Sequence, residues 1–320
     1  MLLQPSPEVA EAAAEAGHAA AEGAAGGFNA GEVIIEHVSN SSLEHPLIHL
    51  PKVAGIDLSV TKHVLMLWIV ATLLFLIVTV TVRRFLSQDR QIPGRFMSLL
   101  EILVEFVRDS IVRPNVGNKW VLTWTPVLLT LFLFIFGANL IGVIPIFDTL
   151  ALLNSMVIHA APESFFARVL HGGVTATGNF NVTAGLATVT FFAIIVAGVR
   201  AHGFVKHWKN MVPHGLPVPI YFLLIPIEIM GMFVRPFALT MRLAANMTGG
   251  HIAILAILSF VFIFANMSGQ ALAGIGVGAV LSVPLGVGIS ALELIVILVQ
   301  AYVFTLLTAV FIGMAIHAHH

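Results

Sequence analysis

The chain has 320 residues and a formal net charge of −1, with 58% hydrophobic and 10% charged residues; its mean hydropathy is +0.98. A soluble chain carries about 25% charged residues, so this composition places the protein in a lipid bilayer, and the near-neutral balance excludes the basic stripe of a nucleic-acid binder. It has no cysteine, which excludes disulfides, thiolate catalysis and cysteine-held metals.

Residues 1–60 read as a partly mobile tail on the outer side, and 61–320 as the membrane domain. Glu8 to Gly27 is rich in Ala, Glu and Gly without Lys or Arg. It lacks the basic and apolar regions of a secretory signal and the arginines of a mitochondrial presequence, and such a composition buries no core.

A spanning helix needs about 20 apolar residues to cross roughly 30 Å of hydrocarbon. His63 to Val82 meets this and stops at Arg83-Arg84. Gly94 to Val112 instead has apolar residues at helical spacing, with Glu101, Glu105, Arg108 and Asp109 between them. This pattern predicts an amphipathic helix lying in the interface or packing on a partner. Val121 to Ile146 is the second span, and Leu150 to Leu170 predicts a short interfacial helix or hairpin. Val182 to Val199 is the third span. Two longer tracts follow, Val218 to Phe264 and Leu272 to Ile316. Each exceeds one perpendicular crossing and must tilt, bend or break, with Gly249-Gly250 and Pro284 as natural places. The fold class is thus an all-α integral membrane protein with five to six membrane helices, the last two long, tilted and paired as an antiparallel hairpin.

Basic residues set the expected orientation. Arg83, Arg84, Arg90, Arg95, Arg108, Arg113 and Lys119 lie between spans one and two, and Arg200, Lys206 and Lys209 after span three. The other side has only Lys52, Lys62 and Arg168. The positive-inside bias puts the N-terminus outside and the C-terminus inside.

Beyond residue 210, histidines aside, the only charged residues are Glu228, Arg235, Arg242 and Glu293. An ionisable group in the bilayer costs about 2.5–3.5 kcal/mol and usually marks an ion path. Glu228, Arg235 and Arg242 are spaced by nearly two helical turns and share one stripe of one helix. Asn246 falls near that stripe. The plainer reading is a salt-bridge ladder between helices. An antiparallel turn near residues 271–272 brings His251 towards Glu293 and Gln300 towards Arg242, and Glu293 and Gln300 lie on one stripe. No nucleotide loop, zinc motif or catalytic triad is present; the terminal His317, His319 and His320 read as a solvated tail. No cofactor or metal is expected.

The run from Arg235 to His251 contains Arg242-Leu243, Asn246-Met247 and Gly250. It resembles the R-L-x-x-N-M-x-x-G signature of subunit a of the rotary F-type ATP synthase, and Arg242 matches that family's essential arginine. Ile92-Pro93-Gly94-Arg95 resembles its V-P-G-K/R element. Asn139-Leu140 with Ile144-Pro145 resembles the element closing its second span. Asn179, Asn181 and Thr183 fall where its third span begins, and Glu228 and Gln300 fall on family positions. The likeness covers residues 60 to 316. Two departures stand out. His251 and Glu293 exchange the Glu and His of many bacterial members, as in mitochondrial ones, and Asn179 replaces a carboxylate.

The resemblance implies a proton-conducting stator subunit without an ATP site of its own. Two offset half-channels would deliver protons to and from c-ring carboxylates, separated by Arg242. Glu228, His251, Glu293, Gln300, Asn246, Asn139, Asn179 and Arg235 would line the proton path. The implied partners are the c-ring, the peripheral-stalk b subunits, the transported protons and the lipid bilayer, with no nucleic acid. The implied location is a bacterial inner membrane, or alternatively the mitochondrial one. A stand-alone secondary transporter would show internal repeat symmetry, which is not seen. A purely structural scaffold does not explain four ionisable groups on two facing tracts.

Overall fold

The computed structural model describes residues 59–88, 92–143, 176–209, 217–268 and 271–317. The expected N-terminal tail, the 150–170 connection, the 271–272 turn's Gly269-Gln270, and His319 and His320 lie wholly or largely outside them.

Helices account for nearly all of the described chain. In order they are α1 (Lys62–Leu86), α2 (Arg95–Glu105), a π-helical segment (Phe106–Val112), α3 (Arg113–Val116), α4 (Val121–Val143), a 3-10 turn (Ala176–Gly178), α5 (Phe180–His202), α6 (Phe204–Lys209), α7 (Val218–Ser268) and α8 (Ala271–Ile316). Five of them, α1, α4, α5, α7 and α8, contain stretches long and apolar enough to cross a membrane, in agreement with the sequence. Of the tilt, bend or break expected of the long tracts, neither tract breaks: α7 runs for 51 residues through Gly249-Gly250, and α8 for 46 residues through Pro284. A proline inside a helix forfeits the backbone bond to the carbonyl four residues before it; threonines one turn beyond two of the prolines back-bond to the proline carbonyls. Thr130 Oγ1 donates to Pro126 O at 2.8 Å in α4, and Thr240 Oγ1 donates to Pro236 O at 3.0 Å in α7.

The chain divides into two compact units. The larger comprises residues 40–250 and 292–320. Its core joins Val107, Ile111, Val112 and Val116 with Leu128, Phe132 and Ile135 of α4, Ala187 and Ile194 of α5, Leu239 and Leu243 of α7, and Phe304 and Ile312 of α8. The predicted amphipathic helix is present, and its two halves differ. Phe96, Leu99 and Ile102 of α2 are exposed, whereas Val107, Ile111, Val112 and Val116 are fully buried. Phe106 links these elements, lying edge-on to Phe132 at 6.1 Å and 5.9 Å from Tyr302 between ring centroids. The π-helical stretch was not legible in the residue pattern.

Two backbone approaches shape this unit. At Gly313 of α8, a β-carbon would overlap the backbone carbonyl of Asn115, so only glycine admits α3 against α8. At Gly117, φ is +81°, a region open to glycine and costly for other residues, and the chain turns there from α3 towards α4.

In the smaller unit, residues 1–39 and 251–291, the described segments belong to α7 and α8. Leu258 lies over Gly286, where a β-carbon would sit 3.6 Å from Leu258 Cδ2, in ordinary contact. Ser259 and Ser282 are buried, and Ser259 Oγ donates back to Leu255 O at 2.7 Å.

Candidate functional site

Polar side chains buried among apolar helices are costly unless hydrogen-bonded, so their partners show where the larger unit has built a polar interior. Five elements supply it: the end of α4, the 3-10 turn, the start of α5, and the facing stretches of α7 and α8. Asn139, fully buried on α4, accepts a hydrogen bond at Oδ1 from Thr177 Oγ1 of the turn. Its Nδ2 is enclosed with no hydrogen-bond partner among the described residues. Asn179 caps α5, its Oδ1 accepting from the backbone N–H of Asn181 at 2.8 Å. Asparagine is among the preferred residues at that position. Thr183 Oγ1 donates to Phe180 O at 2.9 Å. Thr248 of α7 reaches Gly178 O at 3.4 Å, joining α7 to the same turn.

On α7 and α8, Asn246 Nδ2 donates to Gln300 Oε1 at 3.0 Å. Gln300 is 3% and Glu293 5% exposed. Gly250 lies directly against the Glu293 carboxyl group: a β-carbon at 250 would stand 2.8 Å from Oε1. The two contacts show this part of α7 antiparallel to α8. Further along α8, the buried hydroxyls of Thr190 and Thr308 meet at 3.3 Å.

The charged stripe of α7 is arranged differently. Arg242 is exposed, and Glu228 and Arg235 are half-buried. The Arg235 guanidinium stands 5.6 Å from the ring centroid of Phe311, a cation–π contact to α8. Off this stripe, Asp109 pairs with Arg108 at 2.7 Å and Arg113 at 3.1 Å. Among the described residues, Glu228, Arg235 and Arg242 form no ion pair of the salt-bridge ladder considered for α7. Hydrogen bonding and charge from Arg108, with further attraction from Arg113, hold the Asp109 carboxyl below the ordinary carboxylate range against a smaller desolvation effect. His251 is half-buried and belongs to the smaller unit.

Thus the structure brings Asn246 to Gln300 and sets Glu293 against Gly250, and it places Asn139 and Asn179 on either side of one 3-10 turn. Thr177, Thr248 and Gly250 are the members that sequence reasoning passed over. Thr177 sits in a short Gly/Thr/Ala stretch without periodicity, and Gly250 reads as a flexible point until its neighbour is known. No group of three or more His, Cys, Asp or Glu suited to a metal occurs among the described residues.

Five membrane-length helices, a hydrogen-bonded polar interior and an exposed arginine on an apolar helix define a multi-spanning α-helical membrane protein. The ATP synthase A chain family matches residues 64–313, and the chain belongs to that family. It is 38% identical over 315 residues to ATP synthase subunit a 2 of Prosthecochloris aestuarii, covering 96% of this chain and 86% of that one. It is 37% identical over 320 residues to ATP synthase subunit a of Pelodictyon phaeoclathratiforme, covering 97% and 84%. It is also 38% identical over 294 residues to ATP synthase subunit a 2 of Chlorobium luteolum, covering 89% and 76%.

Proposed function

We propose that this chain is the proton-conducting stator subunit of an F-type ATP synthase in a bacterial inner membrane. The observation that carries this reading is Arg242, a cation exposed on a membrane-length apolar helix. Such a charge is expensive in lipid, so its face belongs against a partner with compensating carboxylates. A rotating c-ring supplies them. A carboxylate that has lost its proton is attracted to the guanidinium, and a protonated one tolerates lipid. Arginine suits the task because it is effectively never deprotonated. It also bars direct proton passage between two offset half-channels.

The polar interior supports an outer half-channel through Asn139, Asn179, Gln300 and Glu293, with His251 as a further proton carrier. Glu228, nearer the basic inner end after Lys209, lines the inner half-channel, and Arg235, braced on Phe311, sits between it and Arg242. Asn246 fixes Gln300 one turn from Arg242. The peripheral-stalk b subunits hold the chain against rotation. The N-terminus is outside and the C-terminus inside. At 1.5 Å per residue a 51-residue helix is about 77 Å long, more than twice the hydrocarbon thickness of about 30 Å, so α7 runs obliquely. Each proton crossing 100 mV releases about 2.3 kcal/mol, which the rotor converts to torque.

The test uses the whole synthase in inverted vesicles. Arg242→Ala abolishes ATP-driven acidification while the complex still assembles, and Arg242→Lys fails as well, because a desolvated ammonium loses its proton. Wild-type pumping in either variant would remove Arg242 from the mechanism.

A further inference from the structure

The ends of three membrane-length helices surround a cavity in the larger unit. It is lined by Val116, Gly117, Asn118, Lys119 and Trp120 ahead of α4, Ala201 near the end of α5, and Ile316 and His317 at the end of α8. Its volume is about 290 Å³, at the lower edge of small-molecule sites, which begin at roughly 300 Å³. That is room for a headgroup, not for a nucleotide.

The chemistry of the lining is one-sided. Lys119 and Asn118 are exposed donors, and the Lys119 ammonium stands 5.6 Å from the Trp120 ring. Two of the helix-end carbonyls of α8 are engaged by imidazoles: Ile316 O accepts from His202 Nε2 at 2.9 Å, and Gly313 O from His317 Nδ1 at 3.0 Å. Nearby Arg200, Lys206 and Lys209 are exposed, while Asp109 is already shared by Arg108 and Arg113. The local excess is positive.

The position narrows the ligand further. Where membrane-length helices begin and end is the level of the lipid headgroups, where tryptophan rings settle and basic pockets between helices take anionic headgroups. We propose that this cavity seats the phosphate diester of an anionic phospholipid, with the Lys119 ammonium and the Asn118 amide as its donors.

The whole synthase, reconstituted in nanodiscs of phosphatidylcholine and phosphatidylglycerol, is released into detergent, and the retained phosphatidylglycerol is counted by native mass spectrometry. Lys119→Gln is expected to lose about one phosphatidylglycerol per chain relative to wild type. Lys119→Arg keeps it, and so does Lys206→Gln, whose lysine lies outside the cavity. Equal retention by wild type and Lys119→Gln overturns the proposal, as does an equal loss in Lys206→Gln, which reports surface charge alone. Excess inorganic phosphate should leave the lipid in place; displacement by it assigns the cavity to a soluble phosphate and overturns the lipid assignment.

Discussion

Gly250 of α7 and Glu293 of α8 are matched: the carboxyl occupies space that a side chain at 250 would take, 2.8 Å from the position of its β-carbon. Gly249, one residue away, has no described residue within 4 Å of its own β-carbon position. Adjacent glycines therefore make different predictions. Gly250→Ala displaces the carboxyl group, and because misplacement of a reacting group by about 1 Å can cost up to roughly 100-fold, it should slow ATP-driven proton pumping roughly tenfold or more without loss of assembly. Gly249→Ala meets no neighbour within this chain and should slow pumping less than Gly250→Ala. Equal rates in the two variants would separate Glu293 from proton transfer.

The Asn246–Gln300 bond tests how tightly the two long helices are tied. Interhelical hydrogen bonds in membrane proteins average about 0.6 kcal/mol in double-mutant cycles, with a maximum of about 1.7. A cycle of Asn246→Ala, Gln300→Ala and the double variant should give a coupling in that range when stability is read by unfolding in bicelles. Additive losses would mean that the pair does not hold α7 to α8.

At Gly313 the neighbour is backbone, which cannot swing aside. Gly313→Ala should destabilise the chain by about 1–3 kcal/mol, the usual cost of overpacking, with lower yield of assembled complex and a lower melting temperature. Gly185→Ala, at a position with open space, is the control and should do neither.

His207 of α6 gives a pH dependence. Its ring rests where a β-carbon at Gly198 would fall. Burial, and secondarily the charge of His202, lower its pKa below the ordinary imidazole value. The fold thus favours neutral His207, while the unfolded chain takes up a proton near pH 6.5. This contribution to stability is complete above the ordinary value and is lost as pH falls through the lowered folded value. Thermal unfolding from about pH 7 to about pH 5 should show a shallower loss for His207→Asn than for wild type. Parallel curves would rule out the linkage.

Much of this was legible in the residues. The apolar runs located α1, α4, α5, α7 and α8 because a bilayer demands length and hydrophobicity, and both are local properties. The stripe of Glu228, Arg235 and Arg242 follows from helical spacing. What was hidden depends on a neighbour distant in sequence. Arg235 falls on the charged stripe, and its contact with Phe311 is hidden; Gly249-Gly250 and Pro284 read as places to tilt, bend or break, and the helices continue through them. Asn179 reads as a relay position, and its amide oxygen is engaged in starting α5. The π-helical geometry of Phe106–Val112 answers to packing on both sides and leaves no periodic trace.

That π-helical segment fixes a length as well as a shape. A π-helical turn closes i→i+5 bonds and so holds more residues than an α-helical one. Winding the same seven residues as α-helix would rotate everything downstream by about 100°, the angle of one residue. Val116 would leave the core, and the Asn115 carbonyl would turn from the notch that Gly313 keeps open. The segment therefore works as a phase adjuster: it lets α2 show Phe96, Leu99 and Ile102 outward while the following turns face inward. A one-residue deletion here, taken up by α-helical winding, should leave the downstream faces in phase, whereas further insertions or deletions should be excluded from this stretch and tolerated in the loops on either side.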